Sequence, residues 1–243
     1  MSMLARTSDA FRSLVRLPDD ATELARLEER LPPLLSIIAG MVDLIGFFTL
    51  GNIFTAHITG NLVLGAAAVV RGGPLNLAQL LAIPAFMLAV AAAWLIARAS
   101  DYRGPNLARL LLLVQLLLLA AVLIFSVFTN PAADPHGLMA GIAAMIAVSA
   151  MACQYALLRL AMPDAISTAV MTGNLTNAVL SLMDMLSGGR PLMAGDSGRL
   201  RRSLYLLFGF LAGCVVAAAA VSTLGDWAWS FPVVLAAVAI AVR

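Results

Sequence analysis

The chain contains no lysine; all fifteen of its basic residues are arginine. A phosphate-binding P-loop needs its lysine, so an ATPase of that kind is excluded, as is Schiff-base chemistry on a lysine amine. A biased genomic composition explains the absence more simply than selection does. Charge of either sign is scarce, at 12% of 243 residues, where a soluble domain carries about 25%. Net charge is only +2 and the arginines gather in loops, so nucleic acid is not implied. Cysteine is limited to Cys153 and Cys214, both in apolar runs, and histidine to His57 and His136. That set offers neither a disulfide framework nor a metal-ligand spacing. No nucleophile elbow, HExxH motif or paired catalytic carboxylates occur, so the chain is expected to be no enzyme and to carry no cofactor.

Apolar residues are abundant instead: 62% of the chain, with a mean hydropathy of +0.96. They fall into runs close to the ~20 residues that cross a bilayer as a helix. A membrane barrel would show ~10-residue segments of alternating polarity. The expected fold is therefore all-α, a polytopic helical membrane protein with the lipid bilayer as its first partner. Eight apolar segments are expected, roughly 34–50, 53–70, 77–97, 107–128, 138–158, 166–186, 203–223 and 228–242.

Two of these segments carry the same cassette. Residues 55–62 read Thr-Ala-His-Ile-Thr-Gly-Asn-Leu and residues 168–175 read Thr-Ala-Val-Met-Thr-Gly-Asn-Leu. A Gly-Gly pair and a Pro-Leu follow each, as Gly72-Gly73-Pro74-Leu75 and Gly188-Gly189-Arg190-Pro191-Leu192. Such likeness predicts an internal duplication, with repeat one at about 34–105 and repeat two at about 138–225, inside a transmembrane domain of 33–243. Ahead of it, residues 1–32 form a polar arm. Ser8–Leu17 suits a short basic amphipathic helix ended by Pro18, and Asp20 or Thr22 suits the cap of a second helix carrying Leu24, Leu27 and Leu31. An interfacial helix on anionic lipid is the expected form of the arm, with partner docking as the alternative.

The arginines choose between two topologies. If all eight segments cross, the loop at 98–109 with Arg98, Arg103 and Arg109 falls outside, against the positive-inside rule. If the two cassette segments instead dip in and return as short or re-entrant helices, six full spans remain. Arg71 is then the one arginine outside, and the two halves become inverted repeats, a plan common in secondary transporters. The six-span form is the expected one, with a cytoplasmic N-terminus; eight spans with parallel repeats is the alternative.

Within this frame the candidate pathway residues are Asp43, His57, Thr55, Thr59, Gly60 and Asn61, with Thr168, Thr172, Gly173 and Asn174 in the second copy. Asp43 lies mid-way along the first span, where an unpaired charge costs at least ~2.5 kcal/mol; it is either a proton carrier or one member of a fixed pair with His57 or an Asn. Thr55 and Thr59 are four apart, as are Thr168 and Thr172, so each pair is expected to share a helix face. Thr-Gly-Asn supplies donors, acceptors and a close-approach position at membrane depth, which suits a solute pathway and equally suits the locking of one half to the other. Gln115 and Gln154 are expected to hydrogen-bond across helices, and Arg159 and Asp164 to form an ion pair at the headgroups.

The runs Val42-Asp43 through Leu50-Gly51 and Phe54-Thr55-Ala56-His57-Ile58-Thr59-Gly60-Asn61 resemble the signature of the YoaK-like family, bacterial integral membrane proteins grouped under a domain of unknown function. The resemblance covers about residues 34–223 and implies the bacterial inner membrane; it implies no substrate. The residues themselves lead to the expectation of a small secondary transporter or channel for a small solute or ion, proton-coupled in one version. A homo-oligomer remains open. A non-transporting scaffold or assembly factor is the alternative.

Overall fold

In lipid an apolar run must satisfy its backbone polar groups internally, and a helix does so within the segment. In the computed structural model the described residues are 18–72, 76–168, 170–187 and 198–242, and among them helix is the one regular form. The helices are α1 (Pro18–Thr49), α2 (Gly60–Val70), α3 (Leu77–Ala99), α4 (Gly104–Thr129), α5 (Leu138–Leu160), α6 (Met171–Ser187), α7 (Gly198–Leu224) and α8 (Ser230–Ala241). Single 3-10 turns at Pro131–Ala133 and Gly225–Trp229 complete the set.

Among the described residues five stretches are long and apolar enough to cross a membrane: Thr22–Thr49, Leu77–Ala99, Gly104–Thr129, Leu138–Leu160 and Gly198–Ala241, the last interrupted by the turn at Gly225–Trp229. The first cassette helix, α2, has 11 residues. Its ~16 Å falls well short of a ~30 Å hydrocarbon core.

One boundary differs from expectation. The helix expected over the inner half of the polar arm does not stop before the first span but runs on through Pro32 and Pro33 as a single 32-residue α1. The two prolines remove the donors to the carbonyls of Glu28 and Glu29, a loss that membrane helices tolerate where neighbours and water compensate. The amphipathic helix expected at Ser8–Leu17 lies outside the described residues.

Packing puts α1 and α5 at the centre. About 67% and 72% of their apolar windows are buried within the protein, against 17% for α3, which turns most of its surface to lipid. α1 packs chiefly on α7, and α5 on α3 and α4. The α1–α7 pair runs parallel: Gly209 lies against Pro33, Gly213 against Ile37 and Gly40 against Phe210 and Cys214.

Polar side chains tie the connections together at two ends. At one end Asn76 Nδ2 donates to the Gly51 carbonyl at 2.8 Å and lies 3.5 Å from His136 Nδ1, while Gln79 donates to the Asn52 carbonyl at 3.1 Å. The end of α1, the start of α3 and the approach to α5 therefore meet. At the other end Arg109 pairs with Glu23, Arg201 with Glu29 at 2.9 Å, and the Glu28 carboxylate accepts the Asp164 backbone N–H. Arg159 does not pair with Asp164 as expected; the loop after α5 turns Asp164 toward α1 instead.

Candidate functional site

The centre of the site is Asp43, six residues before the end of α1, ~9 Å back along the helix. After Thr49 the chain reverses through Gly51 and Asn52, both left-handed with φ of 80° and 57°. It then descends beside α1 without forming helix until Gly60. Gly46 makes the room, since a Cβ there would stand 3.0 Å from the Thr55 methyl and 3.3 Å from the Ile53 carbonyl.

The tip of this descending segment closes on the carboxylate. Asp43 Oδ1 accepts the backbone N–H groups of Thr55 at 2.8 Å, Ala56 at 2.6 Å and His57 at 3.3 Å, with the Thr55 hydroxyl at 3.4 Å. Asp43 Oδ2 lies 2.5 Å from His57 Nδ1. The acid side chain is 5% exposed and the imidazole 30%, so the imidazole is the wetter end of the pair. Its edge meets Phe210 of α7, ring centroids 5.1 Å apart. From α5, the buried Tyr155 hydroxyl donates to the Ala56 carbonyl at 3.0 Å. A carboxylate withdrawn from water is costly unless donors surround it, and here the donors are the main chain of its own loop.

Thr-Gly-Asn shapes the turn back into helix. Asn61 Oδ1 accepts the Phe54 N–H at 2.8 Å and its Nδ2 donates to the Phe54 carbonyl at 2.7 Å. In the second copy Asn174 Nδ2 donates to the Ser167 carbonyl at 3.0 Å, again seven residues back. The glycines share a role: a Cβ on Gly60 would lie 2.8 Å from the Phe54 ring, and on Gly173 2.9 Å from a Val170 methyl. At each a Cβ would force the neighbouring side chain of its own loop to shift. Asn61→Ala strands the Phe54 N–H and carbonyl, and two such bonds at about 1 kcal/mol each predict a loss of about 2 kcal/mol. Thermal unfolding of the purified variant in one detergent measures it.

The expectation that Thr55 and Thr59, and Thr168 and Thr172, share a helix face fails. Thr55 and Thr168 are fully buried in the non-helical approaches, whereas Thr59 and Thr172 are exposed where α2 and α6 begin. Asp43 and Asn61 occupy the main-chain donors at Phe54–His57, so the helical ladder starts only at Gly60.

A second centre stands in the other half. Gln154, six residues before the end of α5, donates to the Leu35 carbonyl at 3.0 Å and the Thr168 hydroxyl at 3.3 Å, and accepts from Gln115 at 2.8 Å. Gln154 thus holds Thr168 as Asp43 holds Thr55, but without a charge. Leu35 and Asp43, eight residues apart on α1, put the two centres ~12 Å apart along that helix. Neighbours on α5 therefore reach both loops, Gln154 one and Tyr155 the other. Tyr155 is absent from the sequence-derived candidates.

Two cavities open at opposite ends. One of about 840 Å³ lies among Glu28, Asp164, Arg201, Arg202 and Tyr205, and one of about 460 Å³ lies between α3 and α5 beside Asn76 and His136. Among the described residues no cluster of three potential metal ligands occurs. The chemistry available is proton exchange between Asp43 Oδ2 and His57 Nδ1, with amides and hydroxyls as hydrogen-bonding partners.

Residues 31–242 match the family described as "Protein of unknown function (DUF1275)". The UPF0700 transmembrane protein YoaK of Bacillus subtilis (strain 168) is 53% identical over 36 residues, which is 15% of this chain and 16% of that protein. No solved structure matches. Long apolar helices and a transmembrane relative together make this a multi-pass membrane protein embedded in a lipid bilayer.

Proposed function

The chain belongs to the DUF1275 family of proteins of unknown function, and on that premise we propose, from its own residues, a small secondary transporter or channel for a small solute or ion. Asp43 is the proton or cation site. The cassettes around Thr55, Asn61, Thr168 and Asn174 form two thin barriers in series, with Thr59, Gly60, Thr172 and Gly173 at the helix starts behind them. The observation that carries this reading is a buried carboxylate closed over by a non-helical loop and paired with His57 at 2.5 Å. Constitutive locking of the halves would need neither an ionisable pair nor a cavity at each end. No catalytic role is assigned.

In this proposal α1–α3 and α5–α7 are inverted repeats from an internal duplication, with six crossings and two re-entrant cassettes. Four features support it. The Asn clamps match in both halves, each seven residues back. α2 runs antiparallel to α3, with Gly65 beside Leu80, so it returns to the end where α1 finished. The first helix of each half packs on the third helix of the other. Among the described residues, Arg26, Arg30, Arg98, Arg103, Arg109, Arg159, Arg199, Arg201 and Arg202 belong to the end where α1 begins, and Arg71 to the opposite one. By the positive-inside rule that end is cytoplasmic, in a bacterial inner membrane.

Proteoliposomes screened for solute flux with and without a pH gradient test the function. Flux that responds to the gradient, and that Asp43→Asn uncouples, is the expected result; flux indifferent to Asp43→Asn removes the proton site, and none from any solute returns the chain to a scaffold role. Reporter fusions at Gly104 and Ala133 test the topology, expected cytoplasmic and periplasmic respectively. The reverse pattern supports eight crossings.

A further inference from the structure

We propose that the cavity between the starts of α1 and α7 is a binding site for a small zwitterion, whose ammonium is held by Glu28 and Asp164 and whose acid group faces Arg201 and Arg202. The inference concerns binding, goes beyond the assignment of Asp43, and stands whether or not the zwitterion crosses.

The cavity exists because two parallel helices part. Backbone contacts join α1 and α7 where Gly209 meets Pro33 and Gly213 meets Ile37, and Ser36 adds its 2.6 Å bond to the Leu206 carbonyl. Toward their starts the helices separate around about 840 Å³, lined from α1 by Ala25, Glu28, Glu29, Pro32 and Pro33. α7 answers with Gly198, Arg201, Arg202, Tyr205 and Leu206. Both sets follow the i, i+3, i+4, i+7, i+8 spacing of one helix face, so two whole faces, not stray side chains, enclose the space. Asp164 and Ile166, from the loop after α5, form the third wall. Ile166 is two residues before Thr168, and Pro33 two before Leu35, the two residues that Gln154 holds. The cavity therefore ends beneath the second cassette.

The walls differ in sign, and the acidic one has acceptors without donors. Glu28 accepts the Asp164 backbone N–H, which brings two carboxylates to one wall, yet Glu28 Oε1 is shut off from water with no hydrogen-bond partner. Arg201, across the cavity, pairs with Glu29 at 2.9 Å in the exposed mouth. Pro32 and Pro33, having no N–H, leave the Glu28 and Glu29 carbonyls without their helical donors. A primary ammonium brings three donors and no acceptor, which suits a wall of carboxylate and carbonyl oxygens. A bare metal ion fits less well: it takes about six or more oxygens, and among the described residues no cluster of three potential metal ligands occurs. On the other wall, Arg201 uses only Nη2 on Glu29 out of a guanidinium's five N–H donors. The start of α7 lies in that wall too, and a helix N-terminus favours an anion. Three acids and three arginines line the cavity, so a ligand with one charge of each sign and none net is complementary to it. Pro32, Pro33, Ile166 and Leu206 supply apolar contact for its body.

Isothermal titration calorimetry of the full chain in a non-ionic detergent tests the site. The probes are phenylalanine, its two singly charged analogues phenethylammonium and 3-phenylpropionate, and glycerophosphoethanolamine as a soluble zwitterionic headgroup. Phenylalanine is expected to bind, with both analogues at least about tenfold weaker. Binding of glycerophosphoethanolamine in its place keeps the site and assigns it to a lipid headgroup rather than a free solute. Glu28→Gln and Asp164→Asn should each weaken binding about tenfold, and Glu28→Gln should melt with the unaltered protein, since its amide oxygen can still accept the Asp164 N–H. Glu23→Gln, whose acid pairs with Arg109 outside the cavity, should bind as the unaltered protein does. No binding by either zwitterion overturns the proposal, as does a singly charged analogue that binds as tightly as phenylalanine, or an affinity indifferent to Glu28→Gln. Binding without flux leaves this inference standing and sinks the transport reading; flux of another solute with no zwitterion bound does the reverse.

Discussion

Asp43→Ala is expected to melt far below the unaltered protein, with the Gly51–Thr59 segment detached from α1. Three backbone donors, the Thr55 hydroxyl and His57 Nδ1 lose their common acceptor at a depth where Asp43 is 4% exposed. Each buried donor left unsatisfied costs about 1–3 kcal/mol, so three amides set a lower bound near 3 kcal/mol before the hydroxyl or imidazole is considered. Some of that cost is relieved if the loop swings out and finds water, and such movement is itself the second readout. Gln154→Ala is the comparison: it removes three neutral bonds, to Leu35, Thr168 and Gln115, at about 1 kcal/mol each, fewer and weaker than the bonds to the carboxylate that Asp43→Ala loses. Thermal unfolding in a single detergent ranks the two. If Asp43→Ala melts with the unaltered protein, or Gln154→Ala costs as much, the carboxylate is not what holds the loop.

The pairing of Asp43 with His57 is legible in the sequence for a plain reason. A mid-span acid needs a partner, and His57 is the one ionisable residue in either cassette. The form of the cassette is not legible. Threonines at i and i+4 imply a helix face, but the pattern carries no sign that a carboxylate twelve residues upstream would take the main-chain donors of Thr55–His57. Apolar runs announce the helices well, yet the boundary between arm and first span at residue 32 falls inside α1, which continues through Pro32 and Pro33. Tyr155 escapes because a tyrosine in an apolar span looks like packing until its hydroxyl is seen on the Ala56 carbonyl. The spacing Gly209-x-x-x-Gly213 is different again: it marks close helix crossings, and it stood in plain view.

That crossing supports the second large effect. Gly213→Ala is expected to cripple the protein, whereas Gly141→Ala, the same change on another central helix, should be neutral or stabilising. A Cβ on Gly213 would land on the Ile37 carbonyl oxygen, and one on Gly40 on the Phe210 carbonyl oxygen. Main-chain atoms cannot rotate away as a side chain does, so α1 and α7 must part. Their separation also stretches the Ser36 hydroxyl bond to the Leu206 carbonyl, 2.6 Å long and buried. Overpacking costs about 1–3 kcal/mol where side chains can yield, and here about 3 kcal/mol or more is expected. A Cβ on Gly141 would instead meet the Ala78 methyl at 3.8 Å, an ordinary contact. There the gain in helix propensity, about 0.5–1 kcal/mol for alanine over glycine, is not opposed. The measurement is the difference in melting temperature and in folded yield between the two variants. Equal stability would mean that α1 and α7 do not touch backbone to backbone at Gly213, and Asp43, carried on α1 about one turn beyond Gly40, would then no longer be held against α7 where its loop closes.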